Sequence, residues 1–176
     1  MVLVLLGVFS LFFFRDFDRV TPQSEALIYS PADGKVMEVS LLQEGPYQGQ
    51  MQIRIFLSVF DGHVQRVPAA GVIERIDYKK GLFLDARDPK AHIDNEQNTI
   101  TLKTSRGVLV VKQIAGLIAR RIVCYAKTGG RFEQGQRYGL IRFGSQVDVI
   151  MPATVRVKIQ EGQRVTGGET VLGEWA

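Results

Sequence analysis

Short apolar runs rich in Val and Ile, separated by Gly, Pro and polar turns, recur from Thr21 to the end of the chain and limit its fold more than any other feature. Runs this brief and this β-branched suit strands, because a branched Cβ packs well on a pleated surface and crowds the preceding turn of a helix. They predict strands over 35–39, 52–57, 72–78, 99–103, 108–113, 147–150, 154–159 and 170–174. Within 153–160, Val155, Val157 and Ile159 alternate with Arg156, Lys158 and Gln160. That is the pattern of a strand with one buried and one wet face. In the body of the chain only 117–123 reads as helix, with a short turn near Pro89.

Two of the strands begin alike. Pro31-Ala32-Asp33-Gly34 and Pro68-Ala69-Ala70-Gly71 each lead into alternating apolar positions, and a third turn of this kind lies in 161–175. This weak repeat resembles the biotinyl and lipoyl barrel-sandwich modules, in which paired hammerhead strands close a small sandwich. No carrier lysine stands at an evident hairpin tip, so the likeness extends to the scaffold and not to a carrier role. The expected fold is all-β, a sandwich or barrel related to the biotinyl/lipoyl barrel-sandwich hybrid, with a short hydrophobic N-terminal helix.

Residues 2–14 are apolar except for Gly7 and Ser10, and Arg15 and Arg19 follow. As a helix this run would reach about 20 Å, short of the ~30 Å hydrocarbon core of a bilayer. No basic stretch precedes it and no small-x-small site follows, which speaks against a signal peptide. Residues 1–20 are therefore expected to be a membrane-associating segment. They either dip into one leaflet or form the end of a longer hydrophobic stretch. The flanking arginines place the folded part, 21–176, on the cytoplasmic face, peripheral or shallowly inserted. A buried core helix is the competing structural reading.

A chain of 176 residues with 45% apolar and 23% charged content is ordinary globular material for one domain. The single cysteine, Cys124, excludes an internal disulfide and fits a reducing compartment as a small buried apolar residue. With only two histidines beside it, no metal-ligand cluster is present in the sequence. The net charge of +4 conceals an asymmetry: 101–144 holds nine Lys or Arg against Glu133 alone. Such a segment suits a polyanion. A membrane surface fits better than nucleic acid, since aromatic stacking residues are few and neither a helix-turn-helix nor a zinc pattern appears.

The sharpest chemical signal is Gly144-Ser145, in RYGLIRFGSQVDV between two β-rich stretches. A serine hydroxyl can attack the preceding carbonyl, and a glycine carbonyl is open because no Cβ screens it. The dipeptide alone is weak, as Gly-Ser pairs are common in turns. Its surroundings make it specific. Four blocks, FFFRDFDRVTP at 12–22, SPADGKV at 30–36, IFLSVFDGHVQRVPAAGVI at 55–73 and the long stretch 113–152, occur in one order. Together they resemble the phosphatidylserine decarboxylases, in the short form found in bacteria and archaea.

The resemblance implies a self-cleaving proenzyme. Ser145 would attack the Gly144 carbonyl, and β-elimination of the ester would leave a pyruvoyl cofactor derived from Ser145. The small chain would have 32 residues and stay associated with the larger one. The pyruvoyl group would act on phosphatidylserine in the membrane and yield an ethanolamine phospholipid and CO2. Asp33 matches the family's acidic position, a base or orienting group, although Asp-Gly is also a common turn. His63, in Asp61-Gly62-His63-Val64, matches the histidine that serves decarboxylation, where an imidazole suits proton delivery near neutral pH. The other histidine, His92, lies in a polar segment that reads as a surface turn. Longer relatives carry a second histidine three residues on, and this chain has Arg66 there, so a full serine-protease-like triad is not supported. Three activators of Ser145 stand open: Asp33 directly, His63 in both steps, or Arg66 polarising the scissile carbonyl. Gln146 is a smaller departure, at a position where relatives often have arginine. Arg120, Arg121 and Arg66 are the candidate ligands of the lipid phosphate, which arginine can pair bidentately. An oligomer is compatible with all of this. The competing functions are a membrane-tethered, non-enzymatic barrel-sandwich adaptor, a pyruvoyl decarboxylase of a soluble amino acid, and the same enzyme acting on an archaeal ether lipid.

Overall fold

The computed structural model describes residues 1–84, 90–117, 121–142 and 145–176. The chain begins with helix α1 (Val2–Phe13), followed by β1 (Leu27–Tyr29), β2 (Gly34–Leu41), β3 (Gln50–Leu57), β4 (Val64–Arg66) and β5 (Gly71–Lys79). A single turn of helix, α2 (Ala91–Asp94), precedes β6 (Gln97–Lys103), β7 (Val108–Ala115) and β8 (Ile122–Cys124). Then come β9 (Arg131–Phe132), β10 (Arg137–Ile141), β11 (Ser145–Pro152), β12 (Arg156–Val157), β13 (Arg164–Val165) and β14 (Val171–Glu174). The expected all-β architecture with a short apolar N-terminal helix is what forms.

Eight strands make one sheet in the order β13-β2-β3-β11-β7-β6-β5-β9, and two three-stranded sheets, β1-β14-β12 and β4-β10-β8, complete the sandwich. Among the described residues every ladder between these strands is antiparallel. The core lies between the sheets and includes Val36, Ile53, Ile55, Leu57, Ile100, Leu109, Val111, Tyr138, Val147 and Val149. Strand β11 is central, flanked by β3 and β7. Both of its faces are buried from Gln146 to Met151, which explains the loss of polar alternation there.

The repeated glycines mark close backbone crossings. A Cβ on Gly34 would fall 2.2 Å from the Phe56 carbonyl oxygen, and one on Gly71 would fall 2.4 Å from that of Lys103. Only a residue without a Cβ starts a strand this near its neighbour.

The helix expected over 117–123 is not formed where the structure describes it: Ile122 to Cys124 is strand β8, paired with Gly139 to Ile141 of β10. Branched Ile122 and Val123 pack as an extended segment once β10 offers a partner. The rest of that expectation, 118–120, lies outside the described residues, as does Pro89. In 154–159 the alternation is present as burial, with Val155 and Ile159 inside, but only Arg156 and Val157 pair in a ladder. His92 is not on a surface turn; it sits half-buried in α2. Cys124 is half-buried against the core.

Helix α1 contradicts the core-helix alternative. Leu3 is 83% exposed and Leu11 80%, whereas Phe13 is fully buried. No described helix is long and apolar enough to cross a membrane.

Candidate active site

The turn after β3 builds the first wall. The Asp61 carboxylate caps it, accepting the Ser58 N–H and the Ser58 hydroxyl, each at 2.8 Å. Arg164 of β13 donates to the other Asp61 oxygen. The chain then passes Gly62, whose missing Cβ makes room for the Asp33 carboxylate: a Cβ there would lie 2.7 Å from Asp33 Oδ2. This brings His63 into the interior at 2% exposure.

His63 Nδ1 lies 2.9 Å from the Asp61 carbonyl oxygen. A carbonyl only accepts, so Nδ1 carries the proton and Nε2 is the basic nitrogen of the neutral ring. Burial pushes the imidazole down to about 4, partly offset by the Asp61 carbonyl and by the Asp61 carboxylate. The ring is therefore neutral at physiological pH. Its carbonyl receives the Ile141 N–H at 3.2 Å and the Gln65 Nε2 amide at 2.8 Å. The first of these bonds ties His63 to the end of β10, two residues before the Phe143-Gly144 pair, which lies outside the described residues.

Ser145 opens β11 on the far side of that pair, opposite Leu57 of β3 and Ala115 of β7. Its neighbour Ala115 is itself held, its carbonyl accepting Asn95 Nδ2 at 2.7 Å. The Gly144-Ser145 bond is thus approached by two anchored strands, β10 beside His63 and β11 in the middle of the large sheet. A chain of buried amides braces this corner. Gln65 Oε1 accepts from Gln113 Nε2 at 2.9 Å, and Gln113 Oε1 from Asn98 Nδ2 at 2.9 Å.

The second wall is a strap, residues 14–24, that leads from α1 across the site. Asp33 is gripped by Arg19 through both carboxylate oxygens, at 2.5 and 2.7 Å, and by the Gly167 N–H at 2.8 Å. Arg19 also donates to the Gly167 carbonyl at 2.8 Å. The hydrogen bond to Asp33 holds the Arg19 guanidinium above its ordinary value, against the opposing effect of burial. Arg66, 5% exposed, donates to the Gly135 carbonyl at 3.1 Å and to the Phe17 carbonyl at 2.7 Å. Arg137 pairs with Asp16 at 2.7 Å and Asp18 at 3.0 Å. At the head of the strap, Phe13 packs on His63 with ring centroids 4.1 Å apart.

The sequence profile described as "Phosphatidylserine decarboxylase" matches residues 6–173. The chain belongs to the phosphatidylserine decarboxylase family. A phosphatidylserine decarboxylase proenzyme of Geotalea uraniireducens (strain Rf4) is 49% identical over 173 residues, covering 97% of this chain and 81% of that protein. One from Geobacter sp. (strain M21) is 49% identical over 170 residues, covering 96% and 78%. A more distant relative from Azorhizobium caulinodans is 46% identical over 183 residues, covering 99% and 77%.

Within this decarboxylase fold the residues singled out from sequence divide into groups. His63 and Asp33 share one corner: the Asp33 carboxylate abuts Gly62 and contributes to the electrostatics of the His63 ring. Arg66 is in the same corner, but its guanidinium is spent on backbone carbonyls of the strap and of Gly135. Arg121 is exposed at the entry to β8, and its carbonyl accepts the Arg142 N–H at 3.1 Å, so two exposed arginines stand side by side at the end of β10. Gly144 and Arg120 lie outside the described residues. Sequence reasoning missed Arg19 and Phe13, both inside the FFFRDFDRVTP block that carried the family likeness. It also missed Gln65, Gln113 and Asn98, for which an amide at an inward position of a β-run was the available signal.

Proposed function

We propose that this chain is a phosphatidylserine decarboxylase that cuts itself between Gly144 and Ser145, and that neutral, buried His63 is the base that starts the cut. The observation that supports this most is the Ile141 N–H to His63 carbonyl bond, which seats the histidine beside the strand leading to Gly144. His63 Nε2 takes the Ser145 hydroxyl proton, the oxygen adds to the Gly144 carbonyl carbon, and the Gly144–Ser145 C–N bond breaks. The proton passes to the released amine. Loss of the residue-145 α-proton then expels the Gly144 carboxylate, and water replaces the nitrogen as ammonia, leaving a ketone at the head of β11. Antiparallel ladders to Leu57 and Ala115 keep that new terminus in place after the cut.

The chain's residues fit such a group: residue 145 is laddered to β3 and β7, and His63 is bonded to the strand that leads toward it. The pyruvoyl ketone supplies the sink for the electrons released when the substrate carboxylate leaves as CO2. His63, once protonated, returns a proton to the carbon that has lost CO2. Asp33, already accepting from two arginine N–H groups and a backbone N–H, orients the corner rather than abstracting a proton. Arg120 and Arg121 meet the lipid phosphate.

The enzyme works at the cytoplasmic face of the membrane. Helix α1 offers apolar side chains on nearly every side and, at 12 residues, lies in or dips into one leaflet. Flotation with phosphatidylserine vesicles tests this, and Leu11→Glu, at an 80% exposed position, is expected to abolish it. The central test is denaturing intact-mass analysis together with phosphatidylethanolamine production from phosphatidylserine vesicles. Two species are expected, the smaller starting at residue 145 with a blocked terminus, and Ser145→Ala is expected to stay uncut and inactive. A single uncut parent chain that nevertheless forms ethanolamine lipid would overturn the mechanism.

A further inference from the structure

We propose that Phe13 is a positioning residue for His63: from the end of the apolar helix it seals the imidazole from water and keeps the ring in its proton-accepting form. The inference rests on the role assigned to His63 above. Phe13 alone, among the described side chains of α1, is fully buried. Its ring centroid is 4.1 Å from that of His63 with an interplanar angle of 40°. Phe14 meets Phe13 edge-on at 5.1 Å, and Phe9 lies tilted behind it at 6.2 Å, so the plug is a cluster of aromatic rings. The rings have no charge to offer in exchange for the water they exclude.

The rest of the surroundings would favour a protonated ring. Asp61 acts on His63 through its carbonyl and its carboxylate, and Asp33 adds a second negative charge, while Arg15 of the strap opposes them. The Asp61 carboxylate is shared with Arg164 of β13, and Asp33 with Arg19. Helix α1 contributes no titratable side chain. Burial, the largest influence on the ring, therefore outweighs two nearby carboxylates, and Phe13 is the fully buried helix side chain in ring contact with it. Arg15 adds the mechanical link: it donates to the Phe12 carbonyl at 2.8 Å and to the Phe60 carbonyl, clasping the end of the helix to the turn that precedes His63. The seating of α1 and the protonation of His63 are thus one coupled variable.

Phe13→Ala and the milder Phe13→Leu test this in the full chain. Imidazole titration by NMR is read in the uncleaved Ser145→Ala background, with His92→Gln to assign the signals. The self-cleavage rate against pH is read with Ser145 present. With Phe13 the titration midpoint is expected near 4. Phe13→Ala is expected to move it more than one pH unit toward the ordinary ~6.5, and Phe13→Leu by less. The acid limb of self-cleavage moves with it. At pH 5.5 the neutral fraction falls from nearly all to about a tenth for a midpoint of ~6.5, a roughly tenfold slower cut, while at pH 8 the rate stays within about twofold. Phe13→Leu carries the test should Phe13→Ala not fold. An unmoved midpoint in a folded variant would overturn the seal, as would a cleavage rate lowered equally at every pH. A midpoint that moves while the cleavage profile stays put would instead overturn His63 as the base.

Discussion

Arg19→Met, made alone and with Asp33→Asn, probes the joint between the strap and the domain. The wild-type pair is mostly buried, with side chains 11% and 14% exposed, and three hydrogen bonds of 2.5 to 2.8 Å leave the Arg19 guanidinium. Methionine keeps the apolar stem and removes the fork. Asp33 then retains only the Gly167 N–H, and the Gly167 carbonyl loses a donor. Removing one member of a fully buried pair costs about 3–5 kcal/mol, and an exposed pair contributes about 0–1. At this exposure the single substitution should cost about 2–3 kcal/mol. For a domain of this size that is a drop in Tm of roughly 5–10 °C. The assay is thermal and urea unfolding of the two singles and the double in the Ser145→Ala background, where all chains are uncut. If the carboxylate and guanidinium stabilise each other as the geometry indicates, the double-mutant cycle should show a coupling of about 1.5–2 kcal/mol. In the Ser145 background, Arg19→Met should also slow self-cleavage, because the strap carries Phe13 at its head. A coupling below about 0.5 kcal/mol would refute the reasoning, since it would mean that the pair contributes no more than a solvated surface contact.

Asp148 gives a prediction of opposite sign to an ordinary carboxylate. Burial raises it from 3.8 to about 6, so the native state holds its proton more tightly than the unfolded chain, and the stability it contributes is lost as pH rises through that window. Asp148→Asn should therefore gain roughly 1–2 kcal/mol relative to the parent between pH 5 and pH 8 in urea unfolding. Turning the Gln52 amide would let its otherwise unpartnered Oε1 accept from the new side chain. Gly139→Ala places a Cβ 2.4 Å from the Val123 carbonyl and 2.9 Å from Gln113 Nε2, and should cost more than about 2 kcal/mol and slow the cut, read by Tm and mass analysis. Gln113→Ala strands Gln65 Oε1 and Asn98 Nδ2, and a loss of about 2–4 kcal/mol is expected on urea unfolding.

The strap ties the N-terminal block to the blocks around His63. Acidic residues 16 and 18 face Arg137 of β10, Arg19 faces Asp33 ahead of β2, and the carbonyl of Phe17 faces Arg66 of β4. The strap is thus bonded to β10, to β4 and to the turn ahead of β2. Arg66 fastens the strap to β4 through the Phe17 carbonyl, and among the described residues His63 is the one histidine of the corner.

The β-character of the body and the apolar N-terminal run were legible in the chain itself, because each is a local property: side-chain branching, and hydropathy over a few residues. The repeated Pro-Ala-x-Gly openings were legible for the same reason, since a missing Cβ is written in the sequence. Strands of two to five residues, such as β4, β9 and β10, were not, because they are too short to show a period and exist only by pairing with partners far along the chain. The same limit misread Ile122 and Val123 as helical. Tertiary structure alone decided that Arg19 grips Asp33, that Arg66 fastens the strap and that Phe13 covers His63. Those contacts join residues 14 to 50 positions apart, and only the folded backbone sets which charged or aromatic side chain fills the space beside another.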